Sequence, residues 1–294
     1  MVSLSDILTK FKFERVLSND TRTKLLYVLG QVDEQDCILS FERTQFETNA
    51  ISTLAAHVDQ RNIQDLVENN IYGWCTTALN SDDLDIRLKY IFPATDVHIA
   101  KYEAQPRVML LETPAHYHDI TLPYIKSIPS KRTQWVTNIL EGSAEAERVI
   151  YHDRDPKTGF VVLPDMKWDG ELETLYWVAI AMRSDILSLR SLNQHHLAFL
   201  KKLRETTYRL VQEKTGLSPH QLRLFVHYQP SYYHFHLHIT AVSFSDAPGI
   251  FSGQAHLLDT VINNIELCAD YYQKATIPFT IGSRHALFTE HTWH

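Results

Sequence analysis

At 294 residues, with 44% hydrophobic and 21% charged residues, the chain has an ordinary soluble globular composition and the length for two modest domains, each with a core of its own. A formal charge of −7 argues against a nonspecific grip on long RNA or DNA, which needs many cations to neutralise many phosphates; a small anion held by a few local cations stays open. Cys37, Cys75 and Cys268 are far apart, odd in number and show no C-x-x-C pairing, so they read as reduced thiols, and no apolar run reaches signal-peptide or membrane-spanning length; cytosol or nucleus is the expectation.

Residues 3–18 open as a Ser-capped helix, and Leu25 to Leu29 and Cys37 to Phe41 read as two short strands across a polar turn. Helical spacing returns from Ala50 to Val67, and Asp85 to Phe92 alternates as a strand does. Pro93 stops that strand, Thr95 or Asp96 caps a helix, and Lys101 and Tyr102 fall on its solvated face. His116 and His118, between Pro114 and Pro123, read as a surface hinge rather than a metal site, since no strand pattern aligns their rings.

From Ser130 to Leu140 the pattern is helical, with Trp135, Val136, Ile139 and Leu140 on one side, a spacing at which tryptophan is usually core. Arg148 to His152 and Phe160 to Leu163 read as strands joined by Asp155-Pro156-Lys157-Thr158-Gly159, and Pro164 to Gly170 as a second turn. Leu175 to Met182 is a buried strand. Asn193 caps a long helix whose Leu197, Leu200, Leu203, Leu210 and Val211 point inward and which ends near Gly216. Leu222 to Tyr228 is a strand, Ala255 to Leu267 a helix and Thr276 to Ile281 a last strand. Antiparallel strands with helices on one face make an α+β fold.

Between these lies Ser231-Tyr232-Tyr233-His234-Phe235-His236-Leu237-His238-Ile239-Thr240. On a strand, His234, His236 and His238 share one face and Phe235, Leu237 and Ile239 the other. Imidazole moves protons near neutral pH and, when neutral, attacks phosphorus. His227, on the preceding strand, approaches the row. Zinc binding is the rival for a His-x-His pair on a strand, although no carboxylate or thiolate lies nearby in sequence.

The row resembles the His-φ-His-φ-His-φ-φ signature of the histidine triad family, with Thr240 in the normally apolar last place. The wider string His227 to His238 is similar to one branch of it, the scavenger mRNA decapping enzymes, as are Thr133-Gln134-Trp135-Val136, Ala144-Glu145-Ala146, Gly159-Phe160-Val161 and Leu163-Pro164-Asp165-Met166-Lys167-Trp168. The likeness covers most of the chain from about Leu88 onward and, more weakly, the part before it.

The resemblance implies a C-terminal histidine-triad domain, residues 109–294, with an antiparallel sheet and helices, preceded by a smaller α+β domain, residues 1–108, that serves as lid and dimerisation module. It implies hydrolysis of the m7GpppN cap dinucleotide or short capped RNA, releasing 7-methylguanosine monophosphate, with no cofactor and no metal. His236 is the implied nucleophile, supported by His234, His238 and His227. Trp135 stacks on the methylated base with Met166 on its other face, Glu145 accepts from the base edge, and Asp165 and Lys167 reach ribose and phosphates. Ser231, Tyr232, Lys101 and Tyr102 complete the substrate-binding set. A homodimer with exchanged N-terminal domains is implied as well. Near the C-terminal helix the chain departs from the pattern: Gln254 stands where the family tends to place an arginine. Two other functions stay in view, a triad hydrolase of dinucleoside polyphosphates and a non-catalytic cap-binding subunit.

Overall fold

In this computed structural model the described residues are 4–21, 23–43, 61, 63–69, 72–76 and 86–293. The chain divides into two compact units, Met1–Gln105 and Pro106–His294.

The first unit runs α1 (Leu4–Lys10), β1 (Lys12–Asp20), β2 (Leu25–Val32), β3 (Gln35–Arg43), β4 (Gln64–Asn69), β5 (Tyr72–Thr76), β6 (Ile86–Ile91) and α2 (Asp96–Tyr102). Four strands form an antiparallel sheet in the order β1-β2-β3-β6, while β4 and β5 pair separately. The expected helix over residues 3–18 is corrected: only Leu4–Lys10 is helical, and Lys12–Asp20 pairs along β2. Backbone pairing with a neighbouring strand outweighs a weak local helical preference there. Asp33 and Glu34 join β2 to β3 with φ of 48° and 65°, the left-handed geometry of a two-residue hairpin turn. Most of the expected helix from Ala50 to Val67 lies outside the described residues, and its end is strand β4.

The second unit begins with β7 (Arg107–Glu112) and a winding segment: α3 (Pro114–His116), one wider π-type turn (Tyr117–Thr121) and α4 (Leu122–Ser127). The expected hinge around His116 and His118 is therefore helical. A tight turn, Ser130–Thr133, leads into α5 (Gln134–Glu141). Then come β8 (Tyr151–His152), β9 (Phe160–Pro164), β10 (Tyr176–Ala181), α6 (Leu197–Thr215), β11 (Leu222–His227), β12 (His236–Ala241), β13 (Ala255–Leu257), α7 (Leu258–Leu267), α8 (Tyr271–Lys274), β14 (Ile277–Gly282) and α9 (Ala286–Thr289).

Six strands form one antiparallel sheet, β13-β11-β12-β10-β9-β8, and β14 pairs with β7 outside it. Asn193 caps the turn that opens α6, accepting the His195 N–H at 3.0 Å, and Gly216 ends the helix with φ 79°. Period-two alternation sorts the sheet into two faces. Val162, Trp177, Ala179, Leu224, Val226, Leu237 and Ile239 belong to a core with α6 and α7, which contribute Leu200, Leu203, Leu210, Val261 and Ile265. On the opposite face Val161, Leu163, Val178 and Ile180 pack with Val136, Ile139 and Leu140 of α5. Trp135 does not join that core: it is 43% exposed.

Candidate active site

Strand β12 starts at His236, so the expected row of three is corrected: His236 and His238 stand on the strand, and His234 precedes it. Opposite them on β10, His236 faces Ile180 and His238 faces Val178, while Phe225 of β11 faces His238 on the other side. The rings of His236 and His238 are 5.0 Å apart between centroids, and His227 lies 4.1 Å from His238. His234 is turned away, donating from Nε2 to the Ala181 carbonyl at 2.7 Å.

His236 has one defined tautomer. Its Nδ1 lies 2.8 Å from the main-chain carbonyl of His234, an acceptor only, so Nδ1 carries the proton and Nε2 the lone pair. Nε2 is buried without a hydrogen-bond partner among the described residues. Burial pushes the His236 pKa down to about 4, partly offset by the bond to His234 and lowered further by His227 and His234. The ring is therefore neutral at pH 7, with a free lone pair. His238 Nδ1 meets the Tyr176 hydroxyl at 3.0 Å, and its Nε2 is likewise buried without a partner. When Tyr176 donates, His238 presents an N–H from Nε2. Burial also holds His238 well below its usual range, and takes His227 to about 4 against the raising effect of its bond to the Gly249 carbonyl at 3.1 Å. Gly249 is required by contact as well as by its φ of 82°, since a Cβ there would meet His227 Nε2 at 2.3 Å.

Beside these rings opens a cavity of about 630 Å³. Among the expected residues, Trp135, Glu145, Asp165, Met166, Lys167, His227, Ser231, Tyr232 and His238 line it. His236 lies beneath, its ring stacked under Tyr232 at 4.0 Å and 15°, and Tyr232 in turn meets the Trp135 edge at 4.8 Å. Lys101 and Tyr102 lie in the other unit, on α2, where Tyr102 stacks on Tyr27 at 4.5 Å.

Glu145 stands in a left-handed loop position, φ 54°, rather than on a helix, and Arg148 holds one of its carboxylate oxygens while also donating to the Pro164 carbonyl at 3.0 Å. The other oxygen, Oε1, has no partner among the described residues. Asp165 accepts the Lys167 N–H at 2.9 Å, closing a tight turn that projects Met166, 84% exposed, and Lys167 outward. The positive charge of Lys167 further lowers the pKa of His227 and His238, which places that cation within electrostatic reach of both rings. Gln254 lines the cavity, and Arg107 of β7 reaches its Oε1 at 3.4 Å and the Thr280 hydroxyl at 2.9 Å.

Sequence reasoning missed several lining residues. Tyr176 was accessible from alternation, because it sits on the same strand face as Val178 and Ile180. Gln229, Gly249 and His285 carry no local signal. Gln229 belongs to a buried frame: Glu112 and Arg190, both almost wholly enclosed, pair at 2.8 Å, and Glu112 also accepts from Tyr228, Thr121 and Gln229. Tyr233 donates to Gln229 at 3.1 Å, so both ends of the loop carrying Ser231 and Tyr232 are tied down. Among the described residues, no group of three or more histidines, cysteines or carboxylates is arranged to hold a metal ion.

Two family models match. Residues 6–105 match that described as Scavenger mRNA decapping enzyme (DcpS) N-terminal, and residues 134–249 that described as Scavenger mRNA decapping enzyme C-term binding. Curated relatives include the m7GpppX diphosphatase of Ascaris suum, 37% identical over 280 residues, covering 95% of this chain and 92% of the relative. The protein of the same name from Schizosaccharomyces pombe is 37% identical over 290 residues, 96% of this chain and 94% of the relative. The human m7GpppX diphosphatase is 34% identical over 279 residues, 92% and 82% respectively. An antiparallel α+β architecture, a neutral His236 beside a cavity lined by Trp135 and Glu145, and likeness along nearly the whole length lead to one conclusion: the chain belongs to the scavenger mRNA decapping enzyme family.

Proposed function

We propose that the chain is an m7GpppX diphosphatase that hydrolyses the cap dinucleotide and short capped RNA remnants, releasing 7-methylguanosine monophosphate. The observation that carries this is the locked tautomer of His236, which leaves the Nε2 lone pair unpartnered on a ring stacked against the cavity-lining Tyr232. Nε2 attacks the phosphorus nearest the methylated nucleoside. The bond to the next bridging oxygen breaks, a nucleotidyl-histidine forms, and water then cleaves the P–N bond and restores the ring. Splitting one hard displacement into two easier ones is the gain of covalent catalysis.

Charge on the non-bridging oxygens is met by Lys167 and by the Nε2–H that His238 presents when Tyr176 donates to its Nδ1. The methylated base is cationic, so the Trp135 face attracts it by about 0.5–2 kcal/mol beyond a neutral base, and the free oxygen of Glu145 accepts from its edge. Asp165 serves the ribose and Met166 the far side of the base. The Arg148 partnership fixes the Glu145 carboxylate in orientation, which suits recognition better than a freely rotating one would. Placing the N-terminal part, residues 1–108, as a lid that uses Lys101 and Tyr102, and as the exchanged element of a homodimer in cytosol or nucleus, belongs to the same reading and is supported by the N-terminal family match.

Labelled m7GpppG and GpppG, incubated with the purified chain in chelator, test it. Release of labelled 7-methylguanosine monophosphate with strong preference for the methylated substrate is expected. Equal turnover of methylated cap and unmethylated dinucleoside polyphosphates would instead favour a general triad hydrolase.

A further inference from the structure

A second cavity of about 580 Å³ adjoins the first, within the size range of small-ligand sites. The two share Trp135, the loop from Gln229 to Tyr232, and His285, so that loop is the partition between them. The lining of the second is unlike a void in a core. Tyr124 lies 6.3 Å from Tyr233 and 5.5 Å from His285 between ring centroids, giving an aromatic cluster. Ser130 and Thr133 add hydroxyls and Arg132 a guanidinium.

Its charge is equally distinctive. The chain carries a net charge of −7, yet no Asp or Glu lines this cavity. Arg132 is exposed and has no carboxylate partner among the described residues. His285 Nδ1 accepts the Leu287 N–H at 3.2 Å, and a backbone N–H can only donate, so the proton of the neutral ring sits on Nε2. That N–H has no partner among the described residues and stands where the cavities meet.

We propose that the second cavity is a subsite for the ribonucleotide following the first transcribed one in a capped remnant, its base against Tyr124 and its phosphodiester facing Arg132 and His285. This rests on the decapping reading above. An aromatic platform accepts any base because every base has a π face, which suits remnants of arbitrary sequence. A lone guanidinium pairs with one phosphodiester and is too little charge to retain a long strand.

The test is binding of m7GpppN and m7GpppNpN to the His236→Asn protein, with and without Arg132→Ala, alongside wild-type turnover of m7GpppN. Arg132 is on an exposed turn, so its loss leaves the fold intact. The longer ligand is expected to bind about tenfold more tightly, with Arg132→Ala removing most of that gain and leaving the dinucleotide unaffected. Equal affinity for both ligands overturns the subsite, as does equal loss for both on Arg132→Ala, which would put that cation on the dinucleotide itself. Absence of wild-type turnover would instead strike the decapping reading, while the affinity difference still reports on the cavity.

Discussion

On one face of the six-stranded sheet Leu237 and Ile239 are sealed under α6 and α7; on the other, one residue along, His236 and His238 hold unpartnered Nε2 atoms beside a cavity. Both faces are buried, but they use burial differently. Among the aliphatic side chains it removes apolar area from water and stabilises the fold. Around the imidazoles it removes water from polar atoms, which keeps the rings neutral and is tolerated because Nδ1 of each has a partner. The sheet thus spends stability on one side to hold reactive groups on the other.

That contrast is broken most sharply by adjacent substitutions. His236→Asn should lower kcat by about 10⁴-fold or more while leaving cap affinity and thermal stability close to wild type. Leu237→Ala should do the reverse, costing about 2–5 kcal/mol of stability in a denaturant titration with modest change in kcat/KM for the folded fraction. His234→Asn sharpens it further: the tautomer of His236 is set by the main-chain carbonyl of residue 234, which the substitution keeps, so turnover should fall far less than in His236→Asn.

Acid should separate the faces next. An unfolded histidine takes its proton near pH 6.5 and buried His236 near 4, so the unfolded chain binds more protons in that interval. Stability should be lost as pH falls from about 6.5 towards about 4, by about 3 kcal/mol for this one group, and be insensitive to His236 above 6.5. Wild type and His236→Asn, unfolded side by side across that interval, should diverge accordingly. The acid limb of kcat/KM should lie closer to pH 4 than to 6.5; a limb at 6.5 would mean that the nucleophile is not the desolvated ring seen here. The smallest effect concerns selectivity: Trp135→Ala should weaken methylated cap binding by about 0.5–2 kcal/mol more than unmethylated, measured by tryptophan-independent calorimetry.

Alternation made most of this sheet legible. Val178, Ile180, His236 and His238 fall on one face because period two is a property of the backbone, and the β9–β10–β12 pairing follows from it. What alternation cannot reveal is where a strand starts, so period two alone puts His234 in a row that begins two residues later. Trp135 shows the other limit: helical spacing puts it beside Val136 and Ile139, but a residue at the edge of the stripe can face a cavity as readily as a core. Glu145 matched a motif, yet its Arg148 partner and left-handed backbone depend on the loop between α5 and β8. Glu112, Gln229 and His285 come from distant parts of the chain and meet only through the tertiary fold, which no local pattern encodes. The misassigned first helix has the same cause, since β1 owes its form to β2.

The central claim is attack by His236 Nε2, and the configuration at phosphorus tests it most directly. A methylated cap analogue made chiral with sulfur at the phosphate nearest 7-methylguanosine would be hydrolysed by the wild-type protein in isotopically labelled water. Two successive in-line displacements, first by the imidazole and then by water, predict net retention; net inversion, the mark of a single attack by water, would contradict the account.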